Sequence, residues 1–259
     1  MSSLEIVLPV LNEQRVLESS VRTLHEFLET VMTNDWRITI ADNGSTDETF
    51  DIARRLEAEL PRVHALHITE AGRGRALTRA WLASSADVLA YMDIDLSTDL
   101  AYFPRLVQMI EDGEADVTSG TRLGPGAKTR RSLKREVLSR GFVFLINSLF
   151  GTRLRDTQCG FKAISRDAAR KLLPLVKDTG WFWDTELLLL AAKGGWDVGF
   201  VPVRWLEDTD TRVKIAKTVW RDLKGLQRMH GFDWMRAQKT LRIDRQEHLP
   251  RDAAHGHAR

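Results

Sequence analysis

Val88-Leu89-Ala90-Tyr91-Met92-Asp93-Ile94-Asp95 runs from five apolar residues straight into two carboxylates. A short apolar run of this kind reads as a buried strand, and the pattern recurs upstream. Leu4 to Val10 is a first strand, followed by helical apolar spacing at Val16, Val21, Leu24, Phe27 and Leu28. Ile38 to Ala41 is a second, stopped by Asp42-Asn43-Gly44-Ser45, after which Thr46 can cap a helix that runs to Leu60 before Pro61. Val63 to Ile68 and a helix from about Gly74 to Ser85 continue the alternation. Strands alternating with helices predict an α/β fold with a mainly parallel central sheet covered on both faces. Ligands of such sheets bind beyond the carboxyl ends of the strands. Asn12-Glu13, Asp42-Asn43, Gly72 to Gly74 and Asp93 to Asp95 all fall there, so they are expected to meet in one crevice. After Val117 to Gly120 the pattern gives way to a basic loop, 122–131, and then to an apolar segment, Val137 to Phe150.

The chain has 259 residues, 38 Lys+Arg, 36 Asp+Glu and one cysteine, Cys159, so an internal disulfide is excluded and a reducing compartment fits best. The first residues lack the basic and apolar regions of a secretion signal, and no apolar run approaches the length that spans a bilayer. Net charge is +2, yet residues 122–140 hold seven Lys/Arg against one acid and residues 212–245 hold ten against three. The remainder is therefore acidic. Two basic stretches on an acidic molecule suit a phosphate-bearing substrate, an anionic membrane or nucleic acid, or are solvated helix faces.

Asp93 and Asp95, two residues apart at a strand end, suit Mg²⁺ or Mn²⁺, hard cations that take oxygen ligands and share their shell with substrate phosphates. Strand-end caps also produce this spacing. Asp42 can accept hydrogen bonds from a base or ribose, whereas Gly44 to Asp47 is equally a turn followed by a helix cap. Gly72-Arg73-Gly74-Arg75-Ala76 is a basic loop before a helix, suited to anions, without the Walker pattern. Asp184 and Glu186 precede an apolar helix; Asp184 is read equally as a general base or a helix N-terminal acid, and Glu186 as the latter. Cys159 reads as a buried small residue.

Pro9-Val10-Leu11-Asn12-Glu13, Asp42 to Asp47, Gly72 to Ala76 and Asp93-Ile94-Asp95, in this order, resemble the family-two inverting glycosyltransferases, whose nucleotide-sugar domain has the GT-A fold. Gly120-Thr121-Arg122, Leu133-Lys134-Arg135, Asp156 to Lys162, Trp183 to Glu186 and Asp210 to Val213 extend the likeness to the polyprenyl-phosphate (dolichyl-phosphate) sugar synthases, with the run Asp156 to Lys162 most like the β-glucosyl-transferring branch. The resemblance covers roughly 4–232. It implies that Pro9, Leu11, Glu13, Asp42, Arg73 and Ile94 surround the donor, that Asp93 and Asp95 engage Mg²⁺ or Mn²⁺ and the diphosphate, and that Arg122, Arg135 and Arg212 meet the phosphates. The implied reaction moves a sugar from a nucleotide sugar, UDP-glucose first and GDP-mannose or a UDP-N-acetylhexosamine behind it, to a polyprenyl phosphate, with inversion. Asn43 stands where many relatives carry Asp, and Ser97 where some carry Gln.

A lipid acceptor implies peripheral association with the cytoplasmic face of a membrane, and leaves room for an integral-membrane partner. Residues 213–229 place Val213, Ala216, Val219, Trp220, Leu223, Leu226 and Met229 near one helical face with Lys and Arg largely elsewhere, an interfacial pattern that a core helix with a basic outer face shares. The Phe142 to Phe150 segment is expected to be buried in the domain, with a second membrane contact as the alternative reading. Three parts result: a catalytic domain, 1–211; a basic helical appendage, 212–245; and a tail, 246–259, expected to be disordered. Asp93 to Ser97 also fits a dehalogenase-like phosphatase, but three strands precede it. A hydroxyl-acceptor transferase and a membrane- or anion-binding module are the other readings. Nucleic acid is not expected, because the tryptophans sit mostly in apolar contexts.

Overall fold

The computed structural model describes residues 2–130, 133–206, 215–239 and 241. The chain forms β1 (Ser3–Val10), α1 (Leu17–Val31), β2 (Asp35–Asp42), α2 (Thr49–Glu59), β3 (Val63–His67), α3 (Arg73–Ala83), β4 (Val88–Met92), α4 (Phe103–Glu111) and β5 (Val117–Thr121). It continues through β6 (Lys128–Arg130), α5 (Leu133–Phe150), β7 (Phe161–Ser165), α6 (Arg166–Leu172), α7 (Trp183–Gly194), β8 (Val198–Pro202), β9 (Arg204–Leu206) and α8 (Ile215–His230). Seven strands make one sheet in the order β3-β2-β1-β4-β7-β5-β8, and β6 pairs with β9 beside it. The mainly parallel sheet expected from the sequence is present, with β7 antiparallel to both β4 and β5.

Alternation along the central strands splits the core between the two sheet faces. Ile6, Leu8, Ala90 and Met92 pack with Leu24, Leu56 and Leu106 of α1, α2 and α4. Val7, Leu89 and Tyr91 face the other way, against Leu77, Trp81, Trp183 and Leu187 of α3 and α7. Leu226 and Met229 of α8 belong to this second cluster. The C-terminal half of α8 is thus continuous with the core, and the expected boundary at 211/212 lies outside the described residues. The 246–259 tail also lies outside them.

Three expectations need correction. The helix after β2 begins at Thr49 rather than near Thr46, because Asn12 Oδ1 accepts from Thr46 N at 2.8 Å and Gln14 Oε1 from Glu48 N at 3.0 Å, holding that stretch as a turn. Phe142 to Phe150 is only partly buried: Ile146 and Phe150 are inside, but Phe144 is 73% exposed and Leu145 and Leu149 face solvent. Finally, the regular pattern does not end after β5, since β7 and β8 complete the sheet.

β7 matters most for the site. Running antiparallel, it enters the sheet at the edge where its parallel neighbours leave. The segment 156–160 is thereby delivered to the same edge as Asp42, Asp93 and Arg122.

Candidate active site

The carboxyl edge of the sheet is built in register. Val10 is opposite Asp42 on β2, and Tyr91 of β4 is opposite Val7. Asp42 is fully buried: its Oδ1 accepts from Ser45 N at 3.2 Å, and its Oδ2 lies 2.7 Å from His67 Nδ1. Pro9 is buried in β1, Leu11 is exposed, and Glu13 donates its backbone N–H to Thr49 Oγ1 at 2.8 Å while its carbonyl accepts from Val16 N and Leu17 N. Asn43 donates to Val10 O at 2.7 Å and accepts from Gly72 N at 3.1 Å, so it ties the end of β1 to the start of α3. An amide does this where a carboxylate could only accept.

Arg73, first residue of α3, is the hub. Its Nη2 donates to Asp93 Oδ1 at 2.7 Å and its Nη1 to Asp184 Oδ2 at 2.6 Å, and its guanidinium lies over the rings of Tyr91, at 4.8 Å, and Trp181, at 5.1 Å. Burial disfavours its charge, but the Asp93 and Asp184 carboxylates outweigh that and hold it charged. The expectation of a loop at Gly72-Arg73-Gly74 is corrected here: these residues start a helix pinned by Thr179 O, which accepts from Arg75 N at 3.3 Å.

Asp93 follows β4, Ile94 is buried beneath the turn, and Asp95 is exposed. Asp95 Oδ1 accepts from Ser97 N at 3.0 Å, and Leu96 between them has φ +48°, a conformation that side-chain-bearing residues rarely adopt. The two aspartates line a cleft with Ser97, Gly160, Phe161 and Trp205. Among the described residues no three His, Cys, Asp or Glu side chains converge on a point. Two carboxylates lining one cleft fit a Mg²⁺ or Mn²⁺ ion that would complete its shell with phosphate and water, and do not make a closed zinc centre.

Arg122, just past β5, is bound by Asp156 through two parallel contacts, Nε to Oδ2 at 2.9 Å and Nη2 to Oδ1 at 3.1 Å, and its backbone N donates to Oδ2 at 3.0 Å. Burial raises the Asp156 pKa, but Arg122 more than reverses this and leaves the carboxyl below its ordinary value. The guanidinium also stacks on Trp205, 5.6 Å from the ring centre, and so borders the cleft. Arg135 lies in α5 and is partly buried; Arg212 lies outside the described residues.

Asp184, in the first turn of α7, is nearly inaccessible. Its Oδ1 takes the Tyr91 hydroxyl and Lys162 Nζ, the latter at 2.9 Å, and its Oδ2 takes Arg73. Burial raises its pKa, but Lys162 and Arg73 overcompensate, and it sits below the usual carboxylate range. Tyr91 is held as a neutral donor, because burial and Asp184 push its pKa well up. A carboxylate so held is a weak proton acceptor. Glu186, two residues on, faces α8: its Oε2 accepts from Asp178 N at 2.8 Å and from Arg228 Nη2 at 2.8 Å. It does more than favour a helix terminus, since it fastens α8 to the domain. Cys159 is fully buried and its thiol is pushed up to about 12, chiefly by burial, which leaves it unsuited to nucleophilic attack.

Sequence reasoning did not assign roles to Tyr91, Asp156, Gly160, Lys162 or Trp205. The signal for Lys162 was a lone charge inside the strand Phe161-Lys162-Ala163-Ile164.

The sequence matches the Glycosyl transferase family 2 model over residues 5–173. Glycosyltransferase AglD of Haloferax volcanii is 39% identical over 242 residues, covering 93% of this chain and 38% of the relative. The dolichyl-phosphate beta-glucosyltransferase of Drosophila melanogaster is 32% identical over 221 residues, covering 79% of this chain and 67% of the relative. The chain spans about two-fifths of the first relative and about two-thirds of the second. Among solved structures, glucosyl-3-phosphoglycerate synthase from Mycobacterium tuberculosis, crystallised with Mn²⁺, UDP-glucose and phosphoglyceric acid, superposes with a TM-score of 0.68 at 19% identity, covering 89% of this chain and 80% of that one. That likeness fixes the architecture as GT-A. With its family model matched over more than half its length and its sheet edge carrying the paired aspartates, the chain belongs to glycosyl transferase family 2.

Proposed function

We propose that the protein transfers a sugar, glucose from UDP-glucose, to a polyprenyl phosphate at the cytoplasmic surface of a membrane, with inversion to a β-linked product. The observation that carries this reading is the state of Asp184. A hydroxyl acceptor needs a general base, and the carboxylate that sequence offered for the task is locked between Arg73, Lys162 and Tyr91 with its pKa lowered. A phosphomonoester needs none, since with a second pKa near 6 it is already largely dianionic at neutral pH.

Asp93 and Asp95 would hold Mg²⁺ or Mn²⁺, which when bound neutralises charge building on the departing diphosphate. Arg73 fixes the Asp93 carboxylate, and Asn43, next to Asp42, ties the end of β1 to Gly72 at the start of the helix that carries Arg73. Arg122, oriented by Asp156, presents a cation beside Trp205 where two anionic reactants must be brought together. Arg135 and Arg212 are assigned to the same phosphates. Two relatives named as dolichyl-phosphate beta-glucosyltransferases, from Drosophila melanogaster and Saccharomyces cerevisiae, support the lipid phosphate and the glucosyl choice.

Membrane contact is assigned to α5 and α8, which pack together. Phe144, Leu145 and Leu149 of α5 and Val219, Trp220 and Leu223 of α8 are exposed, with Arg221 and Lys224 beside them. Apolar side chains interleaved with cations suit an anionic lipid surface. Among the described residues no helix is long and apolar enough to cross a membrane. The test is turnover of a donor panel with polyprenyl phosphate in the presence of Mn²⁺. Transfer that is lost on chelation and in Asp95→Ala supports the reading; binding without turnover of any donor contradicts it.

A further inference from the structure

Lys162 sits mid-strand in β7 and is about 1% exposed, between Tyr91 of β4 and Ser119 of β5. Its neighbours Phe161, Ala163 and Ile164 are apolar and buried. Lysine is almost never fully buried without a partner, because its ammonium loses solvation. Here the ammonium lies 2.9 Å from Asp184 Oδ1 and 3.3 Å from the Tyr91 hydroxyl, and donates to Cys159 O.

The consequence reaches Asp93 through Arg73. A guanidinium and a carboxylate prefer two parallel contacts, as Arg122 and Asp156 show in this same molecule. Arg73 departs from that preference: it gives one nitrogen to Asp184 and the other to Asp93. Lys162 explains the departure. With the Tyr91 hydroxyl it occupies Asp184 Oδ1 and leaves only Oδ2 for Arg73, so the second arm of the fork remains for Asp93.

We propose that Lys162 is a positioning residue for the transfer reaction: it keeps Arg73 shared between two carboxylates and thereby sets the orientation of Asp93 in the cleft. The proposal rests on the functional reading above for its kinetic consequence, but not for its structural one. Lys162→Met alone leaves a buried charge unbalanced and can unfold the protein. The charge-balanced double variant Lys162→Met/Asp184→Asn removes the ammonium together with the carboxylate it faces and leaves Arg73 paired with Asp93, and Asp184→Asn alone, measured beside it, separates the part owed to Lys162 from that owed to Asp184. The double variant is expected to melt close to the wild type yet to lose about 30-fold or more in kcat, with donor KM within about threefold, because the loss falls on orientation rather than donor binding. A packing role alone would return kcat along with stability, and a double variant within about threefold of wild-type kcat would overturn the proposal. Crystal structures of the wild type and the double variant report independently of turnover. Arg73 released from Asp93, or closed on it with both nitrogens, is the expected result; the one-armed contact retained in the double variant would refute the proposal even if the donor assignment were wrong. A wild-type protein inactive on every nucleotide sugar would instead count against the functional reading alone.

Discussion

Gly160 is held so close to Asp93 that a β-carbon at position 160 would fall 1.7 Å from the carboxylate Oδ2, while Asp93 N donates to Gly160 O at 3.1 Å. The site carboxylate therefore rests directly on backbone. Gly160→Ala must push the Asp93 side chain aside, and because that side chain is partly exposed it can move without dismantling the core. The expected outcome is a folded protein with kcat reduced about 100-fold, of the order seen when a reacting-centre contact is misplaced. Initial rates and a melting curve on the same preparation check this; near-normal rates would show that the packing does not matter.

Removing the cation from the Arg122 and Asp156 pair should damage folding as well as catalysis. Arg122→Ala leaves Asp156 buried without its counter-charge, which costs about 3–5 kcal/mol. Arg122→Lys keeps a charge but loses the two-point contact, and should fall between. Urea unfolding of the three proteins gives the order.

Asp222 of α8 is a buried carboxylate with one oxygen on Gln158 Nε2 at 2.9 Å and no hydrogen-bond partner among the described residues for the other. Burial pushes its pKa up to about 6. A carboxyl whose pKa is higher folded than unfolded binds more protons in the native state between the two values, so its ionisation removes stability as pH rises from about 4 to about 6. Asp222→Asn, which keeps an acceptor for Gln158, is expected to stabilise by about 2 kcal/mol at pH 8, with the gain shrinking as pH falls towards 4. Denaturant melts at pH 8 and pH 4 test the sign.

Asp156 and Asp184 behave oppositely. Burial raises each pKa, but Arg122 in one case and Lys162 with Arg73 in the other lower it overall. Their stabilisation is full above the unfolded value near 4 and is lost as pH falls through the lower folded values. The steepest acid loss of stability in Asp222→Asn should therefore lie below pH 4, measured by the urea midpoint against pH.

Trp220→Glu combined with Phe144→Glu should abolish flotation with anionic liposomes at low salt, since both side chains are 60% or more exposed. Stability should change by no more than about 0.5 kcal/mol per site, as for other surface substitutions. Unchanged flotation would remove α5 and α8 from the membrane-facing role.

The strands up to Met92 were legible because apolar runs end in turn residues, and Asp42, Arg73 and Asp93 then followed from the rule that sites lie beyond strand ends. β7 was not legible as a strand: Lys162 interrupts its apolar run, and only the tertiary partner Asp184 makes a buried lysine tolerable there. The same long-range pairing hid the role of Asp184, since helix N-terminal acids and bases look alike in sequence. Whether Phe144 and Leu149 face the core or lie exposed was not legible, because an apolar stretch of sequence does not record what covers it. Gly160 gives no signal of its own, for a close approach to a carboxylate 67 positions earlier exists only once the sheet is assembled.

The most direct test is the acceptor itself. Mass spectrometry of lipid products formed from UDP-glucose with polyprenyl phosphate and, separately, with the unphosphorylated polyprenol should show a hexosyl lipid phosphate from the first and nothing from the second. Equal transfer to the free alcohol, or lipid product from neither acceptor, would contradict a mechanism that works without a base.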